Sequence, residues 1–367
     1  MSPRTVVFAG GGTAGHIQPA VAVARHWRKE NPQDRILFLG TSTGLETTLI
    51  PESGFELQLI ARVRVPRSLS INLLRIPAQL VRSIFDCRRA LKDADVLIGF
   101  GGYVSAPAYL AAASRRIPIV IHEANAKPGW ANRLGTLFTK SLAVGTPVSR
   151  GAFSSALIAG IPLRGDIAQL LHLNRDLDRN KWQDLQAQAK KSLGFDPQRP
   201  LILVFGGSQG SQVINSVIET ARPRISAKSI SILHSVGGSN DLPAAQEYYK
   251  AVSYIHDMAT AYVAADLVIA RSGAITCSEV RALGKFTIFI PLAVGNGEQA
   301  LNALELVARE SAVMIEQKSF TATWLVDNID SMIDQSIANV RGIDFGDLDA
   351  AQKIAALMEN ALRKFKA

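Results

Sequence analysis

The sequence predicts an α/β protein made of two Rossmann-like, doubly wound parallel-sheet domains facing a cleft. Three observations predict this. Short apolar runs alternate with helical patterns along most of the chain, as in a parallel sheet with helices on both faces. A strand, a glycine turn and a helix open the chain at residues 6–16, and the same series restarts at 201–210. The 367 residues are long for one domain, and an apolar fraction of 47% is ample for two cores.

Val6-Val-Phe-Ala9 reads as the first strand and Gly10-Gly-Gly-Thr-Ala-Gly-His16 as its turn, with a helix from about Pro19 to Lys29. Arg35-Ile-Leu-Phe-Leu-Gly40 is the second strand. Asp95-Val-Leu-Ile98 and Ile117-Pro-Ile-Val-Ile121 are later strands with helical patterns between them. The alternation pauses from Gly165 to Pro200, a polar, mostly helical segment that holds Asn174-Arg-Asp-Leu-Asp-Arg-Asn-Lys181. The second domain is expected to start there, giving domains of 1–164 and 165–345. Leu201-Ile-Leu-Val-Phe205 restarts the series, and Ile230-Ser-Ile-Leu-His234, Leu267-Val-Ile-Ala270 and Phe286-Thr-Ile-Phe-Ile290 follow as strands. A last helix, within about 346–367, is expected to pack back across the first domain.

Composition narrows the function. A net charge of +9 points to an anionic partner. Cys87 and Cys277 have no neighbours at metal-ligand spacing, which argues against zinc and against a disulfide framework. The apolar run near the start is too short for a signal peptide and ends in glycines. No stretch has the roughly 18 apolar residues of a spanning helix. A cytoplasmic protein that touches a membrane only from outside is expected. Residues 62–92 carry Arg62, Arg64, Arg67, Arg75, Arg82, Arg88, Arg89 and Lys92 against the single acid Asp86. Leu73, Leu74, Ile76, Leu80, Val81, Ile84 and Phe85 are interleaved, which suits an anionic membrane surface. The competing reading is a core helix with a solvated arginine face. Nucleic acid is disfavoured by the shortage of aromatics for stacking.

The sites are glycine turns at strand ends. Arg271-Ser-Gly-Ala-Ile-Thr-Cys-Ser-Glu279 follows the apolar run Ala265-Asp-Leu-Val-Ile-Ala270. Ser272 and Gly273 are expected to break the strand and cap a helix from Ala274, whose N–H groups and dipole suit an anion. Glu279, about a turn and a half further, is placed to accept from a diol such as a ribose. The alternative is an ordinary βα turn with a surface glutamate. Gly10-x-Gly12-x-x-Gly15 fits the dinucleotide fingerprint, but the second strand ends without an acid until Glu46, which disfavours NAD. His16, at a helix N-terminus, is expected to stay neutral and is a candidate general base; a capping or packing histidine is the other reading. Gly101-Gly-Tyr-Val-Ser105, His122-Glu-Ala-Asn125, Gly206-Gly-Ser-Gln-Gly210 and Gly295-Asn-Gly-Glu-Gln299 are further turns at strand ends. Each alone reads equally as a tight turn or loop cap. The three glycine-bearing turns of the second domain, at 206–210, 271–274 and 295–299, together point to one ligand along the rim of one sheet.

These motifs, with Gly160-Ile-Pro-Leu-Arg164 and Glu298-Gln-x-x-Asn-Ala303, resemble the peptidoglycan glycosyltransferases of the GT-B fold over nearly the whole chain. The resemblance implies inverting transfer of N-acetylglucosamine from UDP-N-acetylglucosamine to the muramyl C4 hydroxyl of lipid I, giving lipid II. It implies that the first domain takes the acceptor and the membrane, and the second the UDP-sugar donor. His16 becomes the base. Thr13, Ala14, Gly15 and Asn125 line the sugar end of the donor. Arg164 and Ser208 lie near the phosphates, and Ile255 offers its backbone to uracil. Ala274, Ile275, Thr276, Cys277, Ser278 and Glu279 hold phosphate and ribose, and Gln299 reads the sugar. The partners implied are UDP-N-acetylglucosamine, an undecaprenyl-linked muramyl-pentapeptide and the anionic inner leaflet of the cell membrane. No metal or other cofactor is expected, because fixed donors and Arg164 can carry the diphosphate charge. Ala14 stands where many relatives have glycine, and Glu298 where some have glutamine. Two alternatives share the donor site: another GT-B transferase acting on a lipid, and a non-catalytic nucleotide-sugar-binding protein.

Overall fold

The structure, a computed structural model, describes residues 2–63, 76–175, 179–293, 297–338 and 343–366. Arg64, Arg67, Leu73, Leu74 and Arg75 of the basic stretch lie outside them, as do Asp176, Leu177 and Asp178 of the polar segment and Gly295 and Asn296 of the last turn. The chain divides into two compact units, residues 1–164 with 347–367, and residues 165–346.

Unit 1 runs β1 (Thr5–Ala9), α1 (Ala14–Glu30), β2 (Arg35–Gly40), α2 (Glu46–Glu52), β3 (Glu56–Leu59), α3 (Ile76–Ala90), β4 (Val96–Gly99), α4 (Ser105–Ser114), β5 (Ile119–Glu123), α5 (Trp130–Gly135), β6 (Leu142–Val144) and β7 (Leu157–Ile158). Among the described residues its seven strands, all parallel, lie in the order β3-β2-β1-β4-β5-β6-β7. Strand alternation splits each apolar run between two cores. Val6 and Phe8 join α1 residues Ile17, Val21 and Trp27 on one face. Val7 and Ala9 join Cys87 of α3 and Val104, Ala108 and Tyr109 around α4 on the other.

Unit 2 runs α6 (Gly165–Leu173), α7 (Arg179–Ser192), β8 (Leu201–Phe205), α8 (Gln212–Ser226), β9 (Ser231–Ser235), β10 (Tyr249–Val252), α9 (Met258–Ala264), β11 (Leu267–Ala270), α10 (Ala274–Ala282), β12 (Thr287–Phe289), α11 (Glu298–Ala308), β13 (Ala312–Met314) and α12 (Ala322–Ala338). Its six strands among the described residues are again all parallel, in the order β10-β9-β8-β11-β12-β13. The last helix, α13 (Ala350–Lys366), belongs to unit 1. Its Ile354, Met358 and Leu362, spaced to share one face, enter the same core as α1. Arg4 reaches Glu359 of this helix at 2.9 Å, and Asp347 just before it accepts from the Ile161 amide at 3.1 Å.

The helix expected from about Pro19 begins at Ala14 instead. Pro19 sits in the second turn, where it forgoes the bond that would close on the Gly15 carbonyl and its ring crowds that carbonyl, a local cost that the buried face of α1 outweighs. Ala14, Gly15 and His16 are therefore the first helical turn and not part of the loop.

Candidate active site

Each sheet reverses its strand order once, between β1 and β4 in unit 1 and between β8 and β11 in unit 2. Open α/β sheets take ligands outside the carboxyl ends of the strands at such a point. The glycine turns lie at these ends.

In unit 1 the loops after β1 and β4 are in backbone contact. Gly101 and Gly102 have φ of 91° and 78°, and a Cβ on Gly102 would stand 2.5 Å from the Gly11 oxygen. Only glycine allows both the conformation and the approach. Ser105, fully buried, ties the loops by accepting from the Gly101 amide at 3.1 Å while lying 2.9 Å from the Ala9 carbonyl. His16 rests against this floor, with its Nδ1 3.2 Å from the Gly11 oxygen. A carbonyl only accepts, so a hydrogen bond here makes Nδ1 the donor, the tautomer that leaves Nε2 its lone pair; the Thr13 hydroxyl, 3.3 Å from Nδ1, is the competing partner. Burial holds the imidazole pKa below its ordinary value, against the charges of Glu123 and Glu46 and the bond to Gly11. Burial, rather than the helix dipole that the sequence suggests, is the larger cause of neutrality. A neutral ring with a bare nitrogen has the form of a general base.

Glu46, at the start of α2, is fully buried. One carboxylate oxygen accepts from the Gly12 amide at 3.1 Å. The other accepts from the Thr41 amide at 2.9 Å and from the hydroxyls of Thr41 and Tyr103, each at 3.1 Å. Burial pushes this carboxyl pKa up, but the bonds from Thr41, Gly12 and its own amide outweigh it, so it lies below the ordinary range. An internal carboxylate thus takes the Gly12 amide, which a dinucleotide loop offers to a pyrophosphate.

After β5, Glu123 is 3% exposed and organises the next loop. It accepts from the backbone and side-chain amides of Asn125 at 2.9 and 3.1 Å, from the Gly129 amide at 2.9 Å and from Asn132 at 3.0 Å. Asn132 in turn accepts from the Tyr109 hydroxyl at 2.7 Å. Asn125 therefore spends a side-chain donor inward, on Glu123. Arg164, half-buried, closes the first segment of unit 1.

In unit 2 the Gly206–Gly210 turn is held from below. A Cβ on Gly210 would stand 1.9 Å from the Val236 oxygen, and Gly210 has φ of 74°. Gly207 and Gly273, by contrast, face open space. Gly273 is the N-cap of α10 and no side chain caps the helix. The expected Ser272 cap is not formed: this hydroxyl is buried and has no hydrogen-bond partner among the described residues. Behind both turns lies Arg271, 8% exposed. It donates to the carbonyls of Ile290 and Pro291 at 2.9 and 3.0 Å, to Ser211 at 2.8 Å and to Gln317 at 2.7 Å. Those acceptors are neutral, and burial lowers its pKa. A positive charge is thereby held beside two turns rich in amides.

The predicted residues divide between the units. Thr13, Ala14, Gly15, His16, Asn125 and Arg164 belong to unit 1; Ser208, Ile255, residues 274–279 and Gln299 belong to unit 2. On α10, Ile275 and Thr276 reach solvent in part, while Ala274, Cys277, Ser278 and Glu279 are buried. Burial pushes the Cys277 thiol pKa up, so it stays protonated. Glu279 accepts from the Tyr262 hydroxyl at 3.0 Å, so it is no simple surface glutamate. Gln299 accepts from the Leu292 amide at 3.0 Å, and Ile255 is buried in the loop before α9. Sequence reasoning assigned no role to Glu46, Glu123, Tyr103 or Arg271. The glycines flanking Glu46 were the available signal: a Cβ on Gly40 or Gly44 would strike its side chain at 2.6 or 1.9 Å.

The glycosyltransferase family 28 N-terminal domain matches residues 6–144, and the family 28 C-terminal domain matches residues 201–344. A UDP-N-acetylglucosamine–N-acetylmuramyl-(pentapeptide) pyrophosphoryl-undecaprenol N-acetylglucosamine transferase of Mycolicibacterium vanbaalenii is 40% identical over 98% of this chain and 90% of its own length. The enzyme of the same name from Streptomyces coelicolor is 42% identical, covering 88% of each chain. The crystal structure of Acinetobacter baumannii MurG superposes with a TM-score of 0.67 at 25% identity, over 98% of this chain and 100% of that one. A UDP-GlcNAc 2-epimerase from Neisseria meningitidis, bound to UDP-GlcNAc, shares the fold at a TM-score of 0.68 and 14% identity, over 98% and 100% of the two chains. The chain therefore belongs to glycosyltransferase family 28, among the UDP-N-acetylglucosamine–N-acetylmuramyl-(pentapeptide) pyrophosphoryl-undecaprenol N-acetylglucosamine transferases.

Proposed function

We infer that this protein transfers N-acetylglucosamine from UDP-N-acetylglucosamine to the muramyl C4 hydroxyl of lipid I, forming lipid II for peptidoglycan synthesis. The observation that carries the inference is identity of 40% to an enzyme so named, spanning both units. In the reaction the bond from the sugar's anomeric carbon to UDP breaks, a bond to the acceptor oxygen forms from the opposite face, and the hydroxyl proton leaves. His16 Nε2 takes that proton. Its lowered pKa keeps it unprotonated near neutral pH.

Unit 2 holds the donor. The charge that grows on the diphosphate meets the amides of the turn at Ser208 and of the α10 N-terminus at Ala274, Ile275 and Thr276, with the buried charge of Arg271 behind them. Arg164 adds a further cation. Glu279, fixed by Tyr262, faces the ribose hydroxyls, next to Cys277 and Ser278. Ile255 meets uracil through its main chain. Gln299, whose oxygen is spent on Leu292, has amide hydrogens for the sugar. Unit 1 holds the acceptor and contributes Thr13, Ala14, Gly15 and Asn125 at the sugar end.

The acceptor is lipid-linked, and no described helix is long and apolar enough to cross a membrane. α3 supplies a peripheral contact instead. It buries Ser83 and Cys87, while Val81 and Phe85 on another face are 52% and 65% exposed beside exposed Arg82 and Arg89. Apolar side chains flanked by cations suit the surface of an anionic leaflet, so we place the enzyme on the cytoplasmic side of the cell membrane.

The test is incubation with labelled UDP-N-acetylglucosamine and a short-chain lipid I analogue. Labelled lipid product is expected. Release of free sugar alone, or transfer to diacylglycerol, would overturn the assignment.

A further inference from the structure

The Gly11 carbonyl and the Gly12 N–H belong to one peptide unit. Its oxygen accepts from His16 Nδ1 at 3.2 Å, and its N–H donates to Glu46 at 3.1 Å. The carboxylate is fully buried, with its other oxygen fixed by Thr41 and Tyr103. A carboxylate, a peptide plane and an imidazole thus stand in line. We propose that Glu46 is a positioning residue for His16, acting through the Gly11–Gly12 peptide to select the tautomer that leaves Nε2 bare.

The physical argument is polarisation. A peptide whose N–H is bound to an anion carries more electron density on its oxygen and accepts more strongly. The Gly11 oxygen then holds the Nδ1 proton. Without that bias Nδ1 has a rival contact, the Thr13 hydroxyl at 3.3 Å, which as a donor would favour the opposite tautomer and occupy Nε2 with a proton. The surroundings are built for the carboxylate. Gly11, Gly40 and Gly44 would each bring a Cβ within 3.1, 2.6 and 1.9 Å of Glu46 atoms. The charged and titratable groups around the ring are Glu123 from the end of β5 and Glu46 from α2. Tyr103 lies beyond Glu46, with the Arg62 guanidinium 5.6 Å over its ring. Two carboxylates thus favour imidazolium, and burial opposes them. Removing Glu46 shifts the balance further toward the neutral ring and releases the tautomer.

The role rests on the reading of His16 as the base, but the decisive test does not use activity. Long-range proton–nitrogen correlation spectra of the full-length protein, labelled in histidine, report which ring nitrogen is protonated. His16 is identified by the signals lost in His16→Ala. The wild type is expected to show the Nδ1–H form, and a wild-type ring protonated mainly on Nε2 overturns the proposal. Glu46→Gln is expected to introduce the Nε2–H form and move the titration downward in pH. It is also expected to lower kcat roughly ten- to a hundredfold, by analogy with the outer partners of metal-bound histidines, with UDP affinity unchanged. Thr41→Val removes one hydroxyl from the same carboxylate and keeps its charge; its expected tautomer is that of the wild type. Equal tautomers in Glu46→Gln and wild type, or equal disturbance by Thr41→Val and Glu46→Gln, overturn the proposal. Full turnover by His16→Ala would overturn the base assignment while the spectra still decide the role of Glu46.

Discussion

His16→Ala separates chemistry from binding. The ring contacts the Gly11 carbonyl and the Thr13 hydroxyl and sits over Gly101 and Gly102, so its loss leaves the sheet and both unit cores untouched. Removal of a half-buried ring costs on the order of 1–2 kcal/mol of stability, much less than deletion of a core side chain. Removal of a general base costs roughly 10²–10⁴ in rate, which is about 3–5 kcal/mol of transition-state stabilisation. The residues of unit 2 proposed to hold the donor are unchanged, so the KM for UDP-N-acetylglucosamine should stay within about twofold. The assay is lipid product formed from a short-chain lipid I analogue at saturating donor. In the wild type, kcat/KM should fall on the acid side as the ring protonates, with a midpoint below the ordinary histidine value, because burial lowers the pKa. That limb should vanish in the variant. A variant that keeps more than about a tenth of wild-type kcat, with the limb intact, would refute His16 as the base.

Three further outcomes are expected. Arg271→Gln keeps a polar side chain but removes the charge behind the turns proposed to hold the donor, so UDP should bind about tenfold more weakly in calorimetry and uridine as well as to the wild type; equal loss for both ligands would make the arginine purely structural. Lys285 is buried, donates to the Val263 and Ala265 carbonyls and has its pKa pushed down to about 8. Burial is the main cause, and Lys190 adds to it against the pull of Asp266. The unfolded chain then holds more protons between pH 8 and the ordinary lysine value of 10.5, so stability should rise through that window by roughly 3 kcal/mol. Lys285→Met should flatten that rise in denaturant titrations followed by fluorescence of Trp182, whose ring lies 5.7 Å from the ammonium. Phe85→Ser with Arg89→Ser should weaken sedimentation with anionic vesicles at least tenfold and leave UDP binding unchanged; unchanged sedimentation would remove α3 from the membrane contact.

What the sequence disclosed follows from the range of the forces involved. β1, β2, β8 and β11 are continuous apolar runs because both faces of each strand are covered, and such runs are visible locally. β3, β6, β7, β10 and β13 went unread. β7 has two residues, both exposed, and β13 has three, too few for any period to show. The start of α1 was misplaced by Pro19, which reads as a boundary but is tolerated inside the helix. The glycine turns were legible because positive φ and close backbone approach demand glycine in place. Glu46 was not, because its partners Gly12, Thr41 and Tyr103 are brought to it only by the fold. Arg271 and Glu123 share that reason: each gets its meaning from carbonyls or amides on other elements.

The return of α13 to the core beneath α1 bears on how the molecule is made. A ribosome releases the whole of residues 165–346 before the helix that seals unit 1 emerges. Unit 2, continuous in sequence, has every element it needs while the sheet of unit 1 still lacks part of its apolar cover. The usual order, in which the earlier part of a nascent chain finishes first, is then reversed. In the interval Val6, Phe8 and Trp27 lack part of their apolar cover, which is the condition in which a partly folded chain is most prone to aggregate.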